Sequence, residues 1–347
     1  MSGRVWFFIF IALLILSLIL SFYFKISASK AINIQQGLIF PGIEGAKEQK
    51  RINRNWRDVK LEKEFEVSEH LYLPMRIRAD GKGNIYVLDY GDFKIKKFSH
   101  DGKFLAEYGK GKGKGPGEFL NPSDFTIDNK LNLWVCDPYS MMVTVIGQDN
   151  KVKLTFRPRN MSLGICISGE NLVLVRAAPM DFLFDVYDMN GNFIFSAGER
   201  ITSAQSKFFL IMGGYIDCDS NYIYFSFNRL NYLLSLDLKS RKIKYIIRTI
   251  DKITPPEIKT IETKNGAALV VGEDKEFSSL GVKVVGNVLY ITSGKNWKSK
   301  NDSTTIVDAY SVSSGEYLYS FRIPEKSKYG YFDGRYYYGV KDTSVSK

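Results

Sequence analysis

One hairpin pattern recurs six times, strand-forming residues dominate the composition, and a single apolar run stands at the amino end. Together these observations predict an all-β protein, a six-bladed β-propeller with an N-terminal transmembrane helix and a last blade closed by an N-terminal strand. Aromatic residues make up 14% of the 347-residue chain, and Tyr, Phe, Ile and Val suit a pleated, packed surface. No long helical period competes with them, and a single large all-β domain is compatible with this length.

Taken in order, the first element is the run from Val5 to Phe24, whose only polar members are Ser17, Ser21 and the Tyr23 hydroxyl. As a helix it would be ~30 Å long, the thickness of a bilayer's hydrocarbon core. Trp6 and Tyr23 stand near its ends, at headgroup level, and Arg4 marks the cytoplasmic side. A cleaved signal peptide ending near Ser29-Lys30-Ala31 is the competing reading, but an apolar stretch of this length favours an uncleaved anchor. The expected layout is a cytoplasmic stub and signal-anchor over residues 1–31, a basic linker over 32–56 and the propeller over 57–347. The protein is then single-pass in the cell membrane, with its propeller periplasmic or extracellular.

The net charge of +11 is concentrated. Residues 47–63 hold seven basic and three acidic side chains, 94–114 seven and two, and 239–252 six and one. Such stripes attract anionic headgroups or acidic polysaccharide, or are solvated surface. The membrane anchor argues against nucleic acid. Three cysteines, Cys136, Cys166 and Cys218, show no metal-site spacing. Their apolar contexts favour buried thiols, and a Cys166–Cys218 disulfide stays open.

The repeat itself begins at Asp80-Gly-Lys-Gly-Asn-Ile-Tyr-Val. It returns at Asp128, Gly169, Asp219, Gly286 and Asp333, each time a polar turn followed by an alternating strand. A second strand-turn-strand pattern follows the first five copies, with turns such as Asp101-Gly102 and Asn190-Gly191 supplying the positive φ of a tight hairpin. Two hairpins make a four-stranded blade. The sixth is short, because the chain ends at Lys347, and the period-two stretch from Lys60 to Val67 is the expected donor of the missing strand. Closing the ring removes exposed edges.

Gly109-Lys-Gly-Lys-Gly-Lys-Gly-Pro-Gly-Glu-Phe, then Asn121-Pro122 and Leu133-Trp-Val-Cys-Asp137, resembles the pattern of NHL-repeat and related bacterial six-bladed propellers. The resemblance covers residues 74–150, and the later blades keep only hairpin spacing. It implies a propeller fold without fixing a function. Amidating lyases of this kind hold zinc through histidines in the central channel. Here His70 precedes the first blade and His100 lies in an outer turn, so zinc catalysis lacks its ligands.

The glycine run from Gly109 to Gly117 lacks the strand-loop-helix setting of a phosphate loop and reads as an inter-blade connection. Asp80, Asp128 and Asp219 recur in tight turns, where the side chain accepts backbone N–H groups, so they read as scaffold. Aligning the innermost strands puts Arg76, Asp124, Tyr215 and Tyr329 at one level, with Arg78, Thr126, Asp217 and Tyr331 two residues on. The candidate ligand-binding residues are Arg76, Arg78, Asp124, Tyr215, Asp217, Tyr329 and Tyr331, together with Trp297 in the lysine-rich loop 294–302. They form a polar and aromatic ring suited to a sugar or peptide, or else pack between blades. Residues 249–281 also depart from the repeat.

The expected function is a membrane-anchored binding or scaffold propeller that recognises a protein partner or an anionic glycan, with no catalytic residue, metal or cofactor assigned. The alternative is a lactonase-like hydrolase with a divalent metal in the channel, which requires three or four convergent carboxylate or amide ligands.

Overall fold

The computed structural model describes residues 46–176, 182–199, 211–263, 266–273, 276–295, 299 and 302–347. The Val5 to Phe24 segment and Trp297 lie outside the described residues, among which no helix is long and apolar enough to cross a membrane. A short strand β1 (Glu66–Val67) precedes the first blade, β2 (Pro74–Ala79), β3 (Ile85–Asp89), β4 (Lys94–Phe98) and β5 (Phe104–Tyr108). The second blade is β6 (Asp124–Ile127), β7 (Leu133–Asp137), β8 (Met142–Ile146) and β9 (Val152–Phe156). The third is β10 (Ser162–Ser168), β11 (Asn171–Arg176), β12 (Phe182–Asp188) and β13 (Phe193–Glu199). The fourth is β14 (Gly214–Cys218), β15 (Tyr222–Phe227), β16 (Tyr232–Asp237) and β17 (Lys242–Arg248).

Residues 249–281 supply an extra hairpin, β18 (Ile258–Thr263) with β19 (Gly266–Val271), which forms its own two-stranded sheet. The fifth blade follows as β20 (Ser279–Val285), β21 (Val288–Ser293), β22 (Thr305–Ser311) and β23 (Tyr317–Ile323). The last comprises β24 (Tyr329–Phe332), β25 (Tyr337–Val340), β26 (Val345–Ser346) and, outermost, β1. Glu66 pairs with Ser346 and Val67 with Val345, so the amino-terminal side of the propeller closes the ring.

Burial follows strand position. Every residue of β3 and β7 is buried, because a neighbouring blade covers each face. The outermost β9 alternates between partly buried and exposed. The cores lie between blades: Ile77, Val87 and Phe98 of the first pack with Tyr329, Tyr331 and Tyr338 of the last.

Turn chemistry works as the sequence suggests. The Lys82 and Asn84 N–H groups donate to Asp80 (2.8 and 3.0 Å). Asp128 accepts from Lys130, Asn132 and the Trp134 indole N–H (2.8, 2.8 and 3.0 Å). Asp219 repeats the device with Asn221 and Tyr222. Each such Asp satisfies backbone donors that the turn would otherwise strand.

Two features depart from the sequence reading. Cys166 and Cys218 are paired, joining the innermost strands of the third and fourth blades with their Cα atoms 6.2 Å apart, while Cys136 stays a buried free thiol. Facing inner strands bring the two together, a proximity that separation along the chain does not reveal. In addition, residues 47–57, inside or next to the stretch expected as linker, lie along the outer edges of β17 and β23.

Candidate functional site

The inner strands set two levels of side chains. Arg76, Asp124, Gly164, Tyr215, Gly281 and Tyr329 share one register, each opposite the equivalent residue of its second strand. Two residues further on come Arg78, Thr126, Cys166, Asp217, Lys283 and Tyr331. Hairpin spacing makes this equivalence legible in four blades. In the third and fifth the first-level residue is a glycine, Gly164 or Gly281, and no side chain marks it.

Five candidate residues converge. Arg78 Nη2 donates to Asp124 Oδ1 (2.8 Å) and its Nη1 to the Tyr329 hydroxyl (2.6 Å). Asp124 also accepts its neighbour's N–H at Phe125 (2.9 Å). Arg76 stands further off, its Nε 3.8 Å from Asp124 Oδ1. Its guanidinium carbon sits 4.8 Å from the Tyr329 ring centre and 5.3 Å from that of Tyr215, and the two rings are 5.2 Å apart. The cation is therefore held largely by aromatic faces, and its side-chain hydrogen bond goes to the Met75 carbonyl (3.1 Å). Both arginines keep about a fifth of their side-chain surface exposed, 20% and 22%, whereas Asp124 keeps 7%. Burial pushes the Tyr215 phenol up, against the opposing charge of Arg76, so it stays a neutral donor.

The other candidates are placed differently. Asp217 turns to the fifth blade, where its carboxylate pairs with Lys283 Nζ (3.1 Å) and accepts the Val284 N–H (2.8 Å). Tyr331 is buried and packs on Tyr338, ring centres 5.2 Å apart. Lys283 is a charged group at this level that the sequence reading missed. Its signal is that it is the single charged residue of its strand. The two levels hold three cations, Arg76, Arg78 and Lys283, against two carboxylates, Asp124 and Asp217, an excess of one positive charge.

Four backbone N–H groups of the glycine run are already engaged within the fold. Lys110 N–H donates to the Gly117 carbonyl (2.7 Å), Gly113 N–H to that of Phe119 (3.0 Å), and Gly115 N–H to the Glu118 carboxylate (2.7 Å). Gly109 N–H donates to Asn150 Oδ1 (2.9 Å). Gly109 and Gly111 both take φ of 91°, which a side chain would resist. Among the described residues no three His, Cys, Asp or Glu side chains are grouped to hold a metal ion. His70 stacks on Phe104 (4.1 Å), and the His100 carbonyl accepts from Lys347.

A family model described as a 6-bladed beta-propeller matches residues 71–143, overlapping the stretch that carries the glycine and strand motif. No curated protein matches the chain. Among solved structures, virginiamycin B lyase from Staphylococcus aureus is similar at 13% identity and a TM-score of 0.51, over 82% of this chain and 97% of that one. U3-55K is similar at 12% identity and a TM-score of 0.52, over 80% of this chain and 95% of that one. At such identities the likeness concerns the fold alone. With six sheets closed into a ring and the family match across its first two blades, the chain is a six-bladed β-propeller.

Proposed function

We propose that this propeller is a binding module, displayed outside the cytoplasm by its apolar amino-terminal segment, that captures an anionic glycan at the mouth of its central channel. One observation carries the reading: two arginines share the single carboxylate of Asp124, and Arg76 is left facing tyrosine rings, without a carboxylate in hydrogen-bonding range among the described residues. A ligand carboxylate meeting Arg76 would gain a charge-assisted hydrogen bond, while Tyr215 and Tyr329 offer flat apolar faces beside it. The extracytoplasmic location is supported by the Cys166–Cys218 disulfide, since such bonds persist in oxidising compartments, and by the bilayer-length run from Val5 to Phe24.

The test is titration of the full-length protein with oligogalacturonate and, separately, with a neutral maltooligosaccharide of equal length. The acidic sugar is expected to bind, the neutral one not. Arg76→Gln is expected to weaken binding about tenfold, equivalent to about 1.4 kcal/mol. Equal binding of both sugars, or an unaffected Arg76→Gln protein, would sink the proposal.

A further inference from the structure

A second charged cluster lies away from the channel, where the fourth and fifth blades meet the segment before the propeller. The third strands of the first, third and fifth blades carry a charged residue at the position paired with the centre of the second strand: Lys96 opposite Val87, Asp185 opposite Leu174, Asp308 opposite Ile291. All three are almost fully buried, so each needs a counter-ion. The first blade supplies its own: Lys96 lies 3.2 Å from Asp89 at the end of the second strand. In the third blade the charges are exchanged, with Arg176 2.5 Å from Asp185. The fifth has Ser293 at that place. Its Asp308 accepts the Ser320 hydroxyl (2.5 Å), and nearby Asp251, after β17, accepts that of Ser293 (2.5 Å). Two carboxylates, each at most 2% exposed, thus stand together, and among the described residues neither blade provides a cation to them.

Arg54 supplies it. Its Nε and Nη2 grip both oxygens of Asp308 (2.9 and 2.8 Å), and Nη2 also donates to Asp251 Oδ1 (2.5 Å). The backbone around it is docked as well. Lys47 pairs beside Ile247 on the edge of β17, with Lys47 N–H to the Ile246 carbonyl at 3.0 Å. Ser320 N–H donates to the Asn55 carbonyl and Arg57 N–H to that of Ser320, both 2.8 Å, on the edge of β23. Gln49 bridges the two edges, donating to the Arg248 carbonyl (2.8 Å) and accepting the Tyr317 N–H (2.8 Å).

We propose that the Asp251–Asp308 pair is a guanidinium receptor at the junction of the fourth and fifth blades, and that residues 47–57 of this chain are its resident ligand. The site takes an extended, arginine-bearing segment. The planar fork of Nε and Nη2 matches a carboxylate edge-on while Nη2 also reaches the other acid, which a single ammonium cannot reproduce. Burial, and then the charge of Asp308, push the Asp251 carboxyl up from its ordinary range, and Arg54 opposes this, as a counter-ion bound to both acids should.

Chemical rescue tests the assignment. The thermal midpoint of the full-length Arg54→Ala protein is measured with low millimolar N-ethylguanidinium or ethylammonium. Arg54→Ala is expected to lower the midpoint, N-ethylguanidinium to restore more than half of the loss, and ethylammonium little. Equal rescue by the two cations, or no initial loss, would overturn the proposal. Should Arg54→Ala not fold, Arg54→Lys keeps the charge without the fork: a lowered midpoint supports the receptor, and a wild-type midpoint reduces it to a plain charge site. The combined variant Arg54→Met, Asp251→Asn, Asp308→Asn should ignore N-ethylguanidinium, and a response there would locate the cation elsewhere and refute the assignment.

Discussion

Asp124 organises the channel because two arginines depend on it, one at hydrogen-bonding distance and one at 3.8 Å. Its removal leaves two guanidiniums adjacent in a largely closed site, so Asp124→Ala should lower stability by about 3 kcal/mol. Arg76→Gln deletes the more distant partner and should cost less than about 1 kcal/mol. Urea unfolding of both variants checks the contrast, and equal losses would mean that Asp124 is not the organising anion. Which residues share a level was legible in the sequence for Arg76, Asp124, Tyr215 and Tyr329, since hairpin spacing fixes register. Which of them touch was not. Tyr215 in the fourth blade comes to face Tyr329 in the sixth and Arg76 in the first, and Gly281, at the same level of the blade between, presents no side chain there. Lys283 escaped because its strand follows the inserted hairpin and its first-level residue, Gly281, carries no side chain to mark the register.

At the scale of the element, the closing strand is the joint on which the ring depends. Glu66 in β1 pairs with Ser346 through the backbone, while its carboxylate accepts from Lys341 (2.7 Å), Lys63 (2.9 Å) and the Ser344 hydroxyl (2.7 Å). Lys341 first, then Lys63 and Ser344, hold its pKa down from 4.5 to about 2. Because the folded value is the lower one, this stabilisation is present above pH 4.5 and is lost as the pH falls toward 2. Amide exchange at β26, corrected for intrinsic rates, should therefore lose protection across that window. Glu66→Gln should flatten the dependence, and an unchanged acid profile in that variant would show that β1 is held by its backbone alone. The need for a donor strand was readable from the short sixth repeat, but only Glu66–Val67 of the longer alternating stretch forms the strand. Leu61, further upstream, packs beside Phe321 and Phe332 instead.

Over the whole molecule, two cross-links act on the ring besides its closing strand. The Cys166–Cys218 disulfide ties neighbouring blades across 52 residues of chain, and the segment carrying Arg54 binds the fourth to the fifth. Replacing both paired cysteines with serine should cost about 2–4 kcal/mol of unfolding free energy. The same loss should follow when the native protein is reduced, and an unaltered urea midpoint under reductant would argue that the pair contributes nothing. Cys136 should stay inert throughout, since burial first, and then the nearby charge of Asp124, push its thiol up to about 12.

The blades are written in local chemistry: turn aspartates, positive-φ hairpin residues and period-two strands act over a few neighbouring residues, so their pattern can be read wherever it recurs. The sequence also announced the closure, because an incomplete repeat at one end and an orphan strand at the other imply each other. The charge partners emerge from the folded ring. Arg54 meets Asp251 and Asp308 across 197 and 254 residues of chain, Asp217 finds Lys283, and Cys166 finds Cys218. A propeller brings such residues together through the order and rotation of its blades, and contacts fixed by that geometry leave no mark in the local spacing of residues.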